Sequence, residues 1–261
     1  MKDKILEVNN LSLPYAFKDL NMSFYQNEFI TISGPNNCGK TTLIKTLAGQ
    51  LKTDSVFLLS KTIEEYKQSE LSKLIASIIP EEINFRFNTL EEELENILIT
   101  NSHKDEDKIK DILKKLNINK LKKQPLTSLT IQDKIKVKLA LSLIKEIKIL
   151  LLDDILVEFN HKDKTSIVDL LKDFQQNNDI TIIMTTSNLE ETLESNYLYI
   201  INNNNIELEG SPLDVLQKDN IINKLGLDLP FIVDLSVKLR DYDLISNIEL
   251  SSERLVDKLW N

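Results

Sequence analysis

Residues 34–42 read GPNNCGKTT, and this stretch restricts the fold more than any other part of the chain. Gly34, Gly39, Lys40 and Thr41 fill the spacing G-x-x-x-x-G-K-[ST]. The flanks fit. Phe29–Ser33 (FITIS) is apolar and β-branched, the pattern of a buried strand. Behind the loop, TTLIKTLAG reads as a helix ending at Gly49. Strand, glycine loop and helix together make a phosphate cradle, in which backbone N–H groups point inward and the helix N-terminus adds partial positive charge. Pro35, Asn36, Asn37, Cys38 and Thr42 complete its wall. Lys40 reaches the outer phosphates, and the Thr41 hydroxyl is placed to hold Mg²⁺. Cys38 reads as a small loop residue rather than a nucleophile, because no histidine lies nearby in sequence to activate it.

A second marker follows at residues 150–154, LLLDD. An apolar run ending in an acid presents Asp153 at a strand end as a second Mg²⁺ ligand. Between the two markers the periodicity changes. The start, KILEVNNLSL and NMSFYQNEFITIS, is β-rich, with Asn27-Glu28 at a turn; residues 56–60 and 75–79 are further strands. From Pro80 to about Glu146 the pattern is helical, in TLEEELENIL, EDKIKDILKKL and IQDKIKVKLALSLIKE, with a polar loop at 101–107. Then strand and helix alternate: ILLLD, TSIVDLLKDFQQ, ITIIMTT, LEETL, YLYIIN and NIELEG. Such alternation predicts a parallel sheet, hence an α/β P-loop fold with an N-terminal β-subdomain and an inserted helical one. PFIVDLSVKLRDY and SSERLVDKLW add a small helical C-terminal unit.

Composition narrows the role. The net charge of −9 argues against a nucleic-acid partner or an anionic lipid surface. One cysteine excludes an internal disulfide. MKDKILEVNNL lacks the apolar stretch of a signal peptide, and no uncharged apolar run approaches the ~20 residues that span a bilayer. Any work at a membrane would therefore need another subunit as anchor.

Over residues 1 to about 218 this order resembles the ATP-binding subunits of ABC transporters. LSLPY followed by FKDLNMSF is similar to that family's opening, with Tyr15 where an aromatic stacks on adenine; the alternative for Tyr15 is a surface strand aromatic. NNNNIELEGSPLDVL is similar to the last strand pair and short helix, with Gly210 in the turn. LGLDLPFIVDLSVKLRDYDLISNIELSSERLVDKLW, residues 225–260, resembles the C-terminal dimerisation domain of energy-coupling factor (ECF) transporter ATPases. The resemblance implies ATP and Mg²⁺ as cofactors and a domain division at 1–218 and 219–261, with the helical subdomain at about 80–146. It also implies a second ABC ATPase chain, a transmembrane coupling subunit and a substrate-binding membrane subunit as partners. The expected location is peripheral, at the cytoplasmic face of the membrane.

The chain departs from the family at four places. Each ATP in such proteins lies between the P-loop of one chain and a Leu-Ser-Gly-Gly-Gln signature of another, yet no glycine occurs between Gly49 and Gly210. The counterpart is LTIQD, where Thr130 keeps a hydroxyl for the γ-phosphate and Asp133 adds a repulsive charge. Glu81 takes the place of a glutamine that senses Mg²⁺ and the attacking water; the alternative is a solvated acid at a helix start. Asp154 stands at the catalytic glutamate, one methylene short. Ser187 stands at the switch histidine. His103 and His161 read as surface residues. These substitutions imply weak turnover at this chain's own site and a more typical ATPase as partner. The alternatives are a non-hydrolysing pseudo-ATPase that stabilises a partner, and an ABC-type protein outside transport.

Overall fold

A computed structural model describes residues 3–100, 105–145 and 147–260. His103 and the first part of the expected loop at 101–107 lie outside the described residues.

Two sheets organise the chain. The smaller is antiparallel, in the order β2-β1-β4-β5, built from β1 (Lys4–Leu13), β2 (Phe17–Tyr25), β4 (Val56–Leu58) and β5 (Lys61–Thr62). The larger runs β10-β9-β3-β8-β7-β6. Its strands are β3 (Phe29–Ser33), β6 (Ile75–Ile78), β7 (Ile149–Asp153), β8 (Thr181–Thr186), β9 (Tyr197–Asn202) and β10 (Asn205–Gly210). Five of them are parallel and only β10 is antiparallel. Every residue of β3, β7 and β8 is buried, as strands covered on both faces require.

Helix α1 (Lys40–Leu47) buries Leu43, Ile44 and Leu47 in a core shared by the small sheet and one face of the large sheet. It ends as expected at Gly49, whose φ of 70° closes the last turn. Helix α2 (Gln68–Leu74) leads into β6. The expected helical stretch forms α3 (Leu90–Thr100), α4 (Glu106–Lys115) and α5 (Ile131–Ile144), which share a second core with α6 (His161–Asn177) and the other face of the large sheet. Near the start of α3, the Glu93 carboxylate accepts the backbone N–H groups of Arg86 at 2.6 Å and Phe87 at 3.0 Å. Glu93→Ala strands both donors. It is expected to cost about 2 kcal/mol and to lower the melting temperature by roughly 4–8 °C in a thermal melt.

A third core joins β9 to the C-terminal segment: Leu198 and Ile200 pack with Val215, Leu216, Ile222, Val233, Val237 and Ile248. That segment contains α7 (Pro212–Leu216), α8 (Asp219–Lys224), α9 (Phe231–Asp241) and α10 (Ser252–Trp260). Three local expectations change. LEETL is not an α-helix but a short 3₁₀ turn, Leu189–Thr192, because Asn188 caps Glu190 and the Thr192 hydroxyl bonds back to the Leu189 carbonyl at 2.8 Å. The strand at 56–60 stops at Leu58, since Leu59 and Ser60 take positive φ to turn the hairpin. Gly210 closes β10, and the tight turn of that hairpin falls instead on Asn203 and Asn204, at φ of 44° and 71°.

Candidate nucleotide site

Strand register brings the chemistry-bearing residues to one edge. Ser33 lies level with Thr186, and Asp153 with Thr185. The glycine loop after β3, the acids ending β7 and the Ser187 turn after β8 therefore emerge side by side at the C-terminal ends of adjacent parallel strands. That is where ligands bind in open α/β sheets.

Within the glycine loop, two positions require glycine. A Cβ on Gly34 would sit 2.1 Å from the Ile201 carbonyl oxygen and 2.8 Å from Cys38 Sγ. Gly39 holds φ of 100°, and a Cβ there would meet the Phe17 ring at 2.9 Å. The loop is thus wedged between β9 and the start of β2. Lys40 is buried at the base of α1, and its Nζ donates to the carbonyls of Gly34 at 2.7 Å and Pro35 at 3.1 Å. Among the described residues no carboxylate forms an ion pair with it. A buried ammonium held by neutral carbonyls inside a loop of inward N–H groups suits a polyphosphate. Thr41 is exposed on the first turn of α1, and Asn36 and Asn37 line the rim. Burial pushes the Cys38 thiol above its ordinary range, against the pull of Lys40.

Asp153 is buried and accepts the Thr185 hydroxyl at 2.7 Å. That hydroxyl also receives the Asp154 N–H at 3.1 Å. Asp154 is in the left-handed region, φ 47°, which swings its side chain off the strand line. Its carboxyl is raised above the ordinary carboxylate range, first by burial and then by Glu191 and Asp153; Lys40 and a backbone N–H bond from Ser187 oppose the rise. The structure thus joins Lys40, Asp153, Asp154 and Ser187.

The other expected residues stand differently. Tyr15 is fully exposed, at φ 62°, on the turn between β1 and β2, two residues from the Phe17 ring that abuts Gly39. Glu81 is exposed. Its neighbour Glu82 makes the contact with α1, an ion pair to Lys45 at 2.6 Å. Thr130 does not join the Lys40 cluster. It caps α5, accepting the Asp133 N–H at 3.2 Å, with its residue exposed. Gln132 ties that cap to the loop after β7 by donating to the Glu158 carbonyl at 3.0 Å. His161 is exposed at the start of α6. Sequence reasoning missed Lys45, Glu82, Thr185, Lys164 and Glu191. All are common surface types in sequence, and only strand register and helix packing bring them to the site.

This edge of a parallel sheet, with its glycine cradle, buried lysine and strand-end acids, defines a P-loop nucleotide-binding protein. The model of the ABC transporter family matches residues 17–157, more than half of the chain, so the chain belongs to that family and is an ABC-type ATPase that binds ATP. It is 24% identical over 271 aligned residues to the energy-coupling factor transporter ATP-binding protein EcfA1 of Enterococcus faecalis, covering 98% of this chain and 97% of the relative. It is 29% identical over 258 to EcfA2 of Clostridium perfringens, covering 93% and 90%. Among solved structures, cbiO1 from Clostridium perfringens, part of the ABC transporter complex cbiONQ, superposes with a TM-score of 0.70 at 27% identity, covering 90% and 99%.

Proposed function

We propose that this chain is the ATP-binding subunit of an ECF-type importer for a vitamin or metal ion, acting as the weaker half of a heterodimer. In this reading residues 1–218 are the ATPase domain and 219–261 the dimerisation unit. ATP closes the pair of ATPase chains, and hydrolysis reopens it. Lys40 and the loop N–H groups hold the phosphates, and Tyr15 stacks on the base. Thr41 and Asp153 hold Mg²⁺, which neutralises charge on the phosphates. Asp154 orients the attacking water, helped by Ser187, and Glu81 takes the place of the glutamine that senses Mg²⁺ and that water. Thr130 reaches the partner's γ-phosphate. A transmembrane coupling subunit and a substrate-binding membrane subunit complete the assembly at the cytoplasmic face. No described helix is long and apolar enough to cross a membrane, so the anchor is assigned to those subunits.

One observation carries the heterodimer: the departures fall on both halves of the composite site. Asp154 and Ser187 weaken the chain's own P-loop site, while Thr130-Ile131-Gln132 weakens the one it completes in its partner. A homodimer would hold two doubly weakened sites.

Co-purification and turnover test this. The chain is expected to isolate with a second ATPase chain and a polytopic membrane subunit. In that complex Lys40→Ala is expected to remove nucleotide binding at this site. Asp154→Asn is expected to lower steady-state ATP hydrolysis by less than about twofold, because the partner's P-loop site turns over independently of Asp154 and carries most of the activity. A stable self-dimer without membrane partners would sink the transporter reading. If Asp154→Asn leaves turnover unchanged, the chain is a nucleotide-holding pseudo-ATPase.

A further inference from the structure

We propose that Glu191, anchored by Lys164 of α6, is a positioning residue that holds the turn carrying Ser187 against Asp154. The proposal rests on the reading that Asp154 and Ser187 serve the reaction at this chain's own site.

The geometry is a continuous polar chain. The Thr186 hydroxyl donates to Glu191 Oε2 at 2.6 Å and accepts the Asn188 N–H at 3.0 Å. Ser187 lies between those two clamped residues, and the residue just before them, Thr185, receives the Asp154 N–H on its carbonyl at 3.2 Å and on its hydroxyl at 3.1 Å. The other oxygen of Glu191 meets Lys164 Nζ at 2.7 Å. The Glu191 side chain is only 7% exposed, so it pairs away from water and is worth more than a surface salt bridge. Helix α6 is packed into the second core through Ile167, Leu170 and Leu171. Lys164 therefore ties a rigid element to the segment from Thr186 to Glu191 that contains Ser187. Nothing else joins α6 to the Ser187 turn by side-chain hydrogen bonds among the described residues. On the far side of the same turn, Glu190 accepts the Phe231 N–H at the start of α9 at 2.5 Å.

The test uses the full chain in complex with its transporter subunits. Initial rates of ATP hydrolysis are measured for wild type, Glu191→Ala, Glu191→Gln and Asp154→Asn, with KM for ATP and thermal melts alongside. In the part of turnover that Asp154→Asn removes, Glu191→Ala is expected to lower kcat about tenfold with KM within about twofold, since the cradle is untouched. Glu191→Gln keeps an acceptor for Thr186 and so the turn. It is expected to retain most activity with KM for ATP unchanged, a rescue that a merely structural loss of charge would not give. If Asp154→Asn lowers turnover but Glu191→Ala does not, positioning is wrong and the catalytic reading of Asp154 survives. If Asp154→Asn itself has no effect, both fall together. A loss of kcat that only follows a lowered melt, and that Glu191→Gln shares in full, marks a structural role and overturns the proposal.

Discussion

Gly34→Ala is expected to abolish ATP binding and to destabilise the fold. The added methyl would lie 2.1 Å from the Ile201 carbonyl oxygen, a backbone atom of a fully buried residue in β9 that cannot rotate aside. Relief requires either the loop or β9 to move. Overpacking of this kind costs about 3 kcal/mol, which in a chain of this size lowers the melting temperature by roughly 6–12 °C. The functional loss is the larger effect. A loop displaced from β9 takes with it the N–H groups of the cradle and the Gly34 carbonyl that receives Lys40. ATP affinity is expected to fall at least ~10²-fold, since a misplacement near 1 Å is enough for losses of that order. Gly226→Ala is the control. Its φ is 70°, so alanine there is strained by about 1 kcal/mol, but its Cβ would meet nothing within 4 Å. It is expected to lower the melt slightly and leave nucleotide binding intact. Isothermal titration with an ATP analogue, paired with thermal melts, separates the two. Equal affinity in Gly34→Ala and wild type would show that the loop has slack the structure does not reveal.

The contrast between these glycines marks what the sequence makes legible. The cradle is written in consecutive residues, because strand, loop and helix are adjacent in the chain and each has a local signature. Asp153 is legible for the same reason, at the end of a run of apolar residues. Thr185 is not, although it bonds both acids. Its role depends on β7 and β8 being neighbours in register, and nothing local in ITIIMTT states which strand lies beside it. Glu191 is hidden in the same way behind its partner on α6. The choice between Glu81 and Glu82 is set by one step of the turn after β6, and two adjacent acids look alike until backbone geometry aims one at Lys45. The hairpin turn at Leu59-Ser60 defeated local reading because it uses neither glycine nor asparagine at its positive-φ positions, so the strand pattern ran through it.

Asp154→Glu is expected to raise turnover at this site by about 10- to 10²-fold, with Ser187→His adding to it. The missing methylene withdraws the carboxylate by roughly 1.5 Å, and orientation losses over that distance reach ~10²-fold. The surroundings favour the repair. Asp154 is half-buried, feels the Lys40 ammonium and has its backbone N–H held by the Thr185 carbonyl and hydroxyl, so a longer acid would extend from an already anchored strand end. The cost lies in the backbone. At φ 47° glutamate is less tolerated than aspartate, by about 1 kcal/mol, a small loss that the buried strand β7 can absorb. The histidine supplies a charge-assisted donor where serine offers a neutral one. Single-turnover phosphate release in the assembled complex, with ATP affinity measured in parallel, checks both variants. Unchanged release with affinity retained would place the bottleneck elsewhere. Under the proposed heterodimer it would then fall on the partner chain. A rise in the single variant would instead locate the weakness of this site in the reach of one side chain.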